Sequence, residues 1–369
     1  MQLAVQKLSS LDKVFLHDEP HATCSMIGAI LRNESFAFQI AYRGEPRDGH
    51  VFPLVRVIVE DDCAGAVRVR SVGNVPSELP AYPDSDPDYI TKRPGLFPDP
   101  LHDIAGGIVK VVPGQWRSLW VDFDPRDRLK AGTYAVRVRF ESEDGTLLAS
   151  AGHDIEVLDA RLPEQKLLHT SWIHYDCLGT RYGVDMLSEP HWDIIERYVE
   201  SAANHGVNMI LTPLFTPPLD TRVGGERPTV QLVGVALNDD GGYAFDFGRL
   251  ERFVNMCRRH GIGHFEMSHL FTQWGARAAP KIVVDTDCGQ RRLWGWATDA
   301  SGPDYSRFLD QLLPALTAML KAWGIADRCR FHVSDEPELR HLDSYAKARD
   351  IVAKHLEDFP VMDALSDFA

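Results

Sequence analysis

Two adjacent carboxylates, Asp335 and Glu336, close the run Arg330-Phe331-His332-Val333-Ser334-Asp335-Glu336-Pro337. The run reads as a short strand. Phe331, Val333 and Asp335 share one face by period-two alternation, and His332, Ser334 and Glu336 share the other. Pro337 has no N–H to donate and biases Glu336 towards an extended backbone, so the strand stops with the acid pair at its C-terminal lip. In α/β folds that lip is where ligands bind. Carboxyls that reach a pocket from two sides and sit in different surroundings can divide acid/base work between them. A solvated Asp-Glu-Pro turn has the same local sequence, so the weight falls on what gathers at the other strand ends.

Those ends carry aromatic and short polar residues together. A strand expected over 167–174 delivers Trp172, His174, Tyr175 and Asp176, and one over 207–212 delivers Thr212 followed by a proline-stiffened turn. A long excursion over 220–244 contains Arg227. A strand over 262–268 leads to His269, Gln273 and Trp274, and one over 361–365 carries Asp363. Indole and phenol faces stack on the apolar face of a pyranose, while short polar groups bind its hydroxyls. The candidate substrate-binding residues are therefore Trp172, His174, Tyr175, Thr212, Arg227, His269, Gln273, Trp274 and Asp363. Any one of them could be a core residue, but a core would not concentrate polar partners at one end of every strand. His264, Glu266 and His269 lack the helical H-E-x-x-H spacing of a zinc site, so no metal and no cofactor is expected. Cys177 has no histidine-paired signature. The six cysteines (Cys24, Cys63, Cys177, Cys257, Cys288, Cys329) show no C-x-x-C spacing and read as reduced thiols.

The elements that position these residues fall into two domains. Residues 1–160 alternate in short apolar runs separated by turn clusters, with Asp144-Gly145 as a hairpin signal, and predict an antiparallel β-sandwich. Residues 76–100, rich in proline and aspartate, read as a long loop. After 165 the pattern becomes strand and helix in alternation, with Ser188 capping a first helix, Asp246 a second and Asp304 beginning a third that Pro314 should kink or split. Residues 165–369 predict a (β/α) TIM-like barrel. Its 205 residues and roughly five strands fall short of the eight strands of a closed barrel, and the expectation is a barrel truncated on its C-terminal side.

The formal net charge of −14 argues against a nucleic-acid partner, since nothing basic is available to displace counterions. No apolar run reaches the ~20 residues that span a bilayer, so no membrane partner is expected. The first ten residues lack a basic and then apolar leader pattern, from which a cytoplasmic protein is expected. Oligomeric state is not legible.

The segments "HTSWIHYDC", "MILTPLFTPPLDT", "GGERPTVQLV", "FEMSHLFTQWGARAAPK", "HVSDEP" and "MDALSD" resemble glycoside hydrolase family 123 and the wider domain-of-unknown-function 4091 group. The resemblance runs from about 169 to 367, and the preceding residues are similar to the β-sandwich of that group. It implies a TIM-like domain with β-N-acetylgalactosaminidase-type chemistry. The substrate's 2-acetamido oxygen would be the nucleophile, through an oxazolinium intermediate with net retention. Asp335 would orient the acetamido group, and Glu336 would protonate the leaving oxygen and then activate water. Ordinary retaining pairs face each other ~5–5.5 Å apart across the anomeric carbon, for which consecutive residues are poorly placed. The alternatives are a retaining glycosidase for another sugar, with Glu266 or Asp363 as nucleophile, and a non-catalytic carbohydrate-binding protein.

Overall fold

In a computed structural model, residues 2–22, 28–45, 52–63 and 65–364 are described. Cys24, the beginning of the run 25–31 and Leu365-Ser366-Asp367 lie outside them. The chain divides into two compact units, Met1–Glu164 and Gln165–Ala369.

The first unit contains β1 (Leu3–Ser9), β2 (Ala29–Leu31), β3 (Phe36–Gly44), β4 (Leu54–Asp61), β5 (Val67–Ser77), β6 (Gly95–Asp103), β7 (Ile108–Lys110), β8 (Arg117–Phe123), β9 (Gly132–Glu141) and β10 (Leu147–Leu158). They form two five-stranded sheets, β1-β3-β8-β5-β6 and β2-β10-β9-β4-β7. Every pairing is antiparallel except that of β2 with β10. Alternation sets the faces. Leu119, Val121 and Phe123 of β8 turn inward beside Val136, Val138 and Phe140 of β9, forming one apolar core from both sheets. Two strands escape the sequence reading. β1 occupies the N-terminal residues, and β6 takes the last part of the expected 76–100 loop and continues to Asp103. Its prolines lie on the edge of the sheet, where a missing N–H breaks no ladder.

The second unit contains β11 (Thr170–Ser171), α1 (Tyr175–Tyr182), α2 (Glu189–Asn204), β12 (Met209–Thr212), β13 (Gly234–Leu237), β14 (Tyr243–Asp246), α3 (Gly248–Arg259), β15 (His264–Met267), β16 (Ile282–Thr286), β17 (Gly289–Trp294), α4 (Pro303–Ala322), β18 (Cys329–Phe331) and α5 (Leu342–Ala353). Strands β11-β12-β15-β18 form a parallel sheet, which Val361 extends through one parallel bridge to Phe331. Among the described residues this is a half-barrel sheet, four strands and one bridge where the sequence predicts an incomplete TIM-like barrel of roughly five strands. Residues 234–246 and 282–294 form a second sheet, β14-β13-β16-β17. Its strands are short, and β17 is largely exposed and polar, so they carry little alternation to read.

α2 and α3 end alike. Gly206 and Gly261 take left-handed φ of 85° and 92°. The N–H groups of Val207 and Ile262 then bond back to the carbonyls of Ala202 and Cys257, both at 3.1 Å. This satisfies the terminal carbonyls and turns the chain directly into a strand. α4 runs through Pro314 as one helix, held by Leu309, Leu312, Leu313, Leu316 and Leu320 in the core. Ser188 occupies the N-cap of α2, but its hydroxyl donates to the Asp185 carbonyl instead of bonding the helix.

Candidate active site

The site grows from the loops that leave β15 and β18. β18 ends at Phe331, four residues before Asp335, so the expected strand 331–335 is shorter than its alternation suggests. Backbone bonds to the neighbouring loop carry the extended run onward: Leu270 N–H to His332 O (3.4 Å), Phe271 N–H to Val333 O (3.0 Å) and Trp274 N–H to Asp335 O (3.1 Å). The acid pair is thus laced to residues 270–274. Asp335 is half-buried, whereas Glu336 is exposed with φ +46°. The indole Nε1–H of Trp274, itself 45% exposed, points at Glu336 Oε2 at 3.4 Å. Asp220, Trp274, Ala276 and Glu336 all hold left-handed φ. That conformation costs a non-glycine residue about 1–3 kcal/mol and recurs at functional sites.

Deeper in the unit lies a buried polar chain. Glu266 is fully buried. One of its oxygens accepts from the Thr170 hydroxyl, and the other from Trp172 Nε1–H at 2.6 Å with His332 Nε2 at 2.5 Å. His332 Nδ1 lies 3.3 Å from Asp363 Oδ1. That oxygen also accepts from Val333 N–H, and Asp363 Oδ2 accepts from the Tyr345 hydroxyl. His269 stacks on His332 with ring centroids 4.2 Å apart, and Trp172 sets its edge against both rings.

Burial alone would push a proton onto Glu266 and off His332. For Glu266 the bonds from His332, Thr170 and Trp172 outweigh burial, and its pKa is lowered. For His332 the two carboxylates outweigh burial and lift it to about 9. His269 has no such partner, and burial drives its pKa well below the usual imidazole value. Asp335 is pushed up to about 6, first by burial and then by the Glu336 charge, with the His332 cation pulling the other way.

The nine expected binding residues divide. Trp172, His269 and Asp363 belong to the buried cluster around Glu266 and His332, and Trp274 contacts Glu336. Gln273 adjoins Trp274, its amide donating to Thr221 O at 3.2 Å while its Oε1 has no partner among the described residues. His174 caps α1 and faces Asp220, with Nε2 3.0 Å from Oδ2. Three are set into the framework. Tyr175 opens α1, buried, with its ring edge-on to Phe253. The strand expected over 167–174 is cut to β11, because His174 already starts that helix. Thr212 is fully buried and bonds the Ile210 carbonyl. The Arg227 guanidinium clamps Asp176 at 2.9 and 3.1 Å and the Leu219 carbonyl at 2.9 Å, tying its loop to α1. Sequence reasoning missed Asp220, Tyr345 and the bridging role of His332. The available signal was the alternation that sets His332 opposite Asp335. Among the described residues no group of three metal-binding side chains forms, the five described cysteines are unpaired, and no helix is long and apolar enough to cross a membrane.

A family model described as "Glycoside hydrolase 123, catalytic domain" matches residues 172–369. The chain is similar to a solved family 123 glycoside hydrolase from Clostridium perfringens, studied for glycolipid glycan hydrolysis. The TM-score is 0.70 at 14% identity, over 99% of this chain and 64% of that one. At that identity the likeness concerns the fold, and the chain spans less than two thirds of that structure. Matches to the N-terminal domain of PorA (TM-score 0.21, 12% identity, 43% of this chain and 100% of that chain) and to a β-glucosidase from Listeria innocua (0.20, 10%, 44% and 17%) are too distant to argue from. No curated protein matches the sequence.

Proposed function

The chain belongs to glycoside hydrolase family 123, and from that premise we propose that it removes a β-linked 2-acetamido-2-deoxy sugar, N-acetylgalactosamine first, with the acetamido oxygen as nucleophile. The observation that carries this reading is how the carboxylates are partnered. A retaining enzyme with its own nucleophile needs a free carboxylate facing the acid. Glu266 and Asp363 are both occupied by hydrogen-bond donors, and Glu266 has no exposed surface. The consecutive pair Asp335 and Glu336 suits a different division. Half-buried Asp335 accepts the acetamido N–H and steadies the charge that grows on the oxazolinium ring. Exposed Glu336 protonates the leaving oxygen and then takes a proton from water. Trp274 offers its indole beside Glu336 as a stacking face for the sugar. The glycolipid glycans of the Clostridium perfringens neighbour are the natural first substrates to try.

With Asp335 near 6, its anion is available at neutral pH and lost in acid, so kcat/KM should fall as pH drops through about 6. The test is release of nitrophenol from matched β-glycosides of N-acetylgalactosamine, N-acetylglucosamine, galactose and glucose. Cleavage confined to the two acetamido sugars, blocked by a thiazoline mimic of the oxazoline, is expected. Equal cleavage of the 2-hydroxy glycosides would overturn the mechanism, and binding without turnover would leave a carbohydrate-binding protein.

A further inference from the structure

We propose that His332 is a positioning residue for the acid pair: a permanent imidazolium, clasped by Glu266 and Asp363, that opposes the carboxylates crowding Asp335. The argument begins with donors. A neutral imidazole has one N–H and can serve one acceptor, whereas both ring nitrogens of His332 face carboxylate oxygens, at 2.5 and 3.3 Å. Neither carboxylate can easily be the protonated partner. Glu266 already accepts from Thr170 and Trp172, and Asp363 from Tyr345 and Val333 N–H. Each is surrounded by donors, which favours the anion. The remaining proton therefore belongs on the ring.

Every neighbour fits a cation there. Glu266 reaches it from β15, and Asp363 from the segment after α5, with Tyr345 of α5 behind it. His269 stacks on one face, and neither of its own nitrogens has a partner among the described residues. An uncharged ring is the kind that can pack there without adding a second positive charge. Trp172 closes the edge.

His332 also stands three residues before Asp335 on the stretch that Phe271 and Trp274 lace in place. Glu336, Asp220 and Asp363 all favour a proton on Asp335, and His332 is the cation acting against them. Its removal leaves Asp335 among like charges. The part assigned to Asp335 rests on the proposed glycosidase reading, but the protonation of His332 does not.

Two measurements test this on the full chain. In histidine labelled with ¹³C and ¹⁵N, the His332 signal, assigned by its loss in His332→Gln, should remain imidazolium to above pH 8. It should titrate at lower pH in Asp363→Asn. A ring that titrates at or below its ordinary value of 6.5 in the wild-type chain overturns the proposal. In folded His332→Gln the acid limb of kcat/KM should move up by about one pH unit. An unmoved limb with unchanged folding would reduce His332 to a structural residue. If His332→Gln does not fold, the signal is assigned by its shift in Asp363→Asn, and the wild-type titration decides. If no glycoside is turned over, the functional reading fails while the titration still judges the imidazolium.

Discussion

Four carboxylates in the second unit divide into two kinds. Glu266 and Asp363 lie in the interior, each accepting from several donors. Asp335 and Glu336 stand beyond the end of β18, adjacent in sequence, and among the described residues one long indole contact to Glu336 is the side-chain bond they receive. Burial drives all carboxylates towards protonation, but it decides the outcome only where donors are few. Fully buried Glu266 is therefore held below its ordinary range and half-buried Asp335 is lifted to about 6. Depth alone would have ranked them the other way. Partners, more than exposure, decide which of these carboxylates is held as an anion and which keeps its proton longer.

Exchanging the two roles tests that distinction. The largest expected effect is from Glu336→Gln, a loss of about 10²–10⁴-fold in kcat. Because the side chain is exposed, its unfolding free energy from urea titration should stay within about 0.5 kcal/mol of wild type. Glu266→Ala should show the opposite profile. It leaves the His332 cation buried without one counter-charge, and should cost about 3–5 kcal/mol of stability in denaturant titration. Asp335→Asn should lower kcat on acetamido sugars by about 10²–10³-fold while the protein stays folded.

The pH dependence of stability sharpens the comparison further. His332 has a folded pKa of about 9, above its ordinary 6.5. Its stabilisation is therefore complete below 6.5 and lost as pH rises through 9. Glu266 is lowered from 4.5, so its contribution is present above 4.5 and lost as pH falls through its folded value. Asp335, raised from 3.8 to about 6, gives a contribution that is complete below 3.8 and lost as pH rises through 6. The melting temperature should peak between these limits. The smallest effect is expected from Trp274→Leu, about five-fold in KM through the lost stacking face.

How much of this was legible depended on whether the information was local. The runs Arg117–Phe123 and Gly132–Glu141 alternate clearly because one face of each meets an apolar core. The joints at Gly206 and Gly261 could be read because each needs a left-handed residue at a fixed offset. Asp335 and Glu336 were singled out because proline follows them at once, although β18 itself ends at Phe331, four residues before Asp335. Tyr175, Thr212 and Arg227 were placed by proximity in sequence to the strand ends, but the helix starting at Tyr175 turned that stretch into packing and into the Asp176 clamp. Glu266, His332 and Asp363 are 66 and 31 residues apart along the chain, and their meeting follows from strand order, which no local pattern records.

The separation of those three residues has a consequence for biosynthesis. Glu266 emerges from the ribosome first, His332 later and Asp363 last. Until Asp363 arrives, the imidazolium has one of its two counter-charges, and Val333 N–H lacks the side-chain acceptor it finds in the folded unit. A nascent chain halted between 337 and 363 holds every residue that laces Asp335 to the 270–274 loop, but not the acceptor for Val333 N–H and the second counter-charge of His332. The order of translation thus makes Asp363 the last of the three to arrive, so that the charge balance of the buried cluster is completed only after the sheet that carries it.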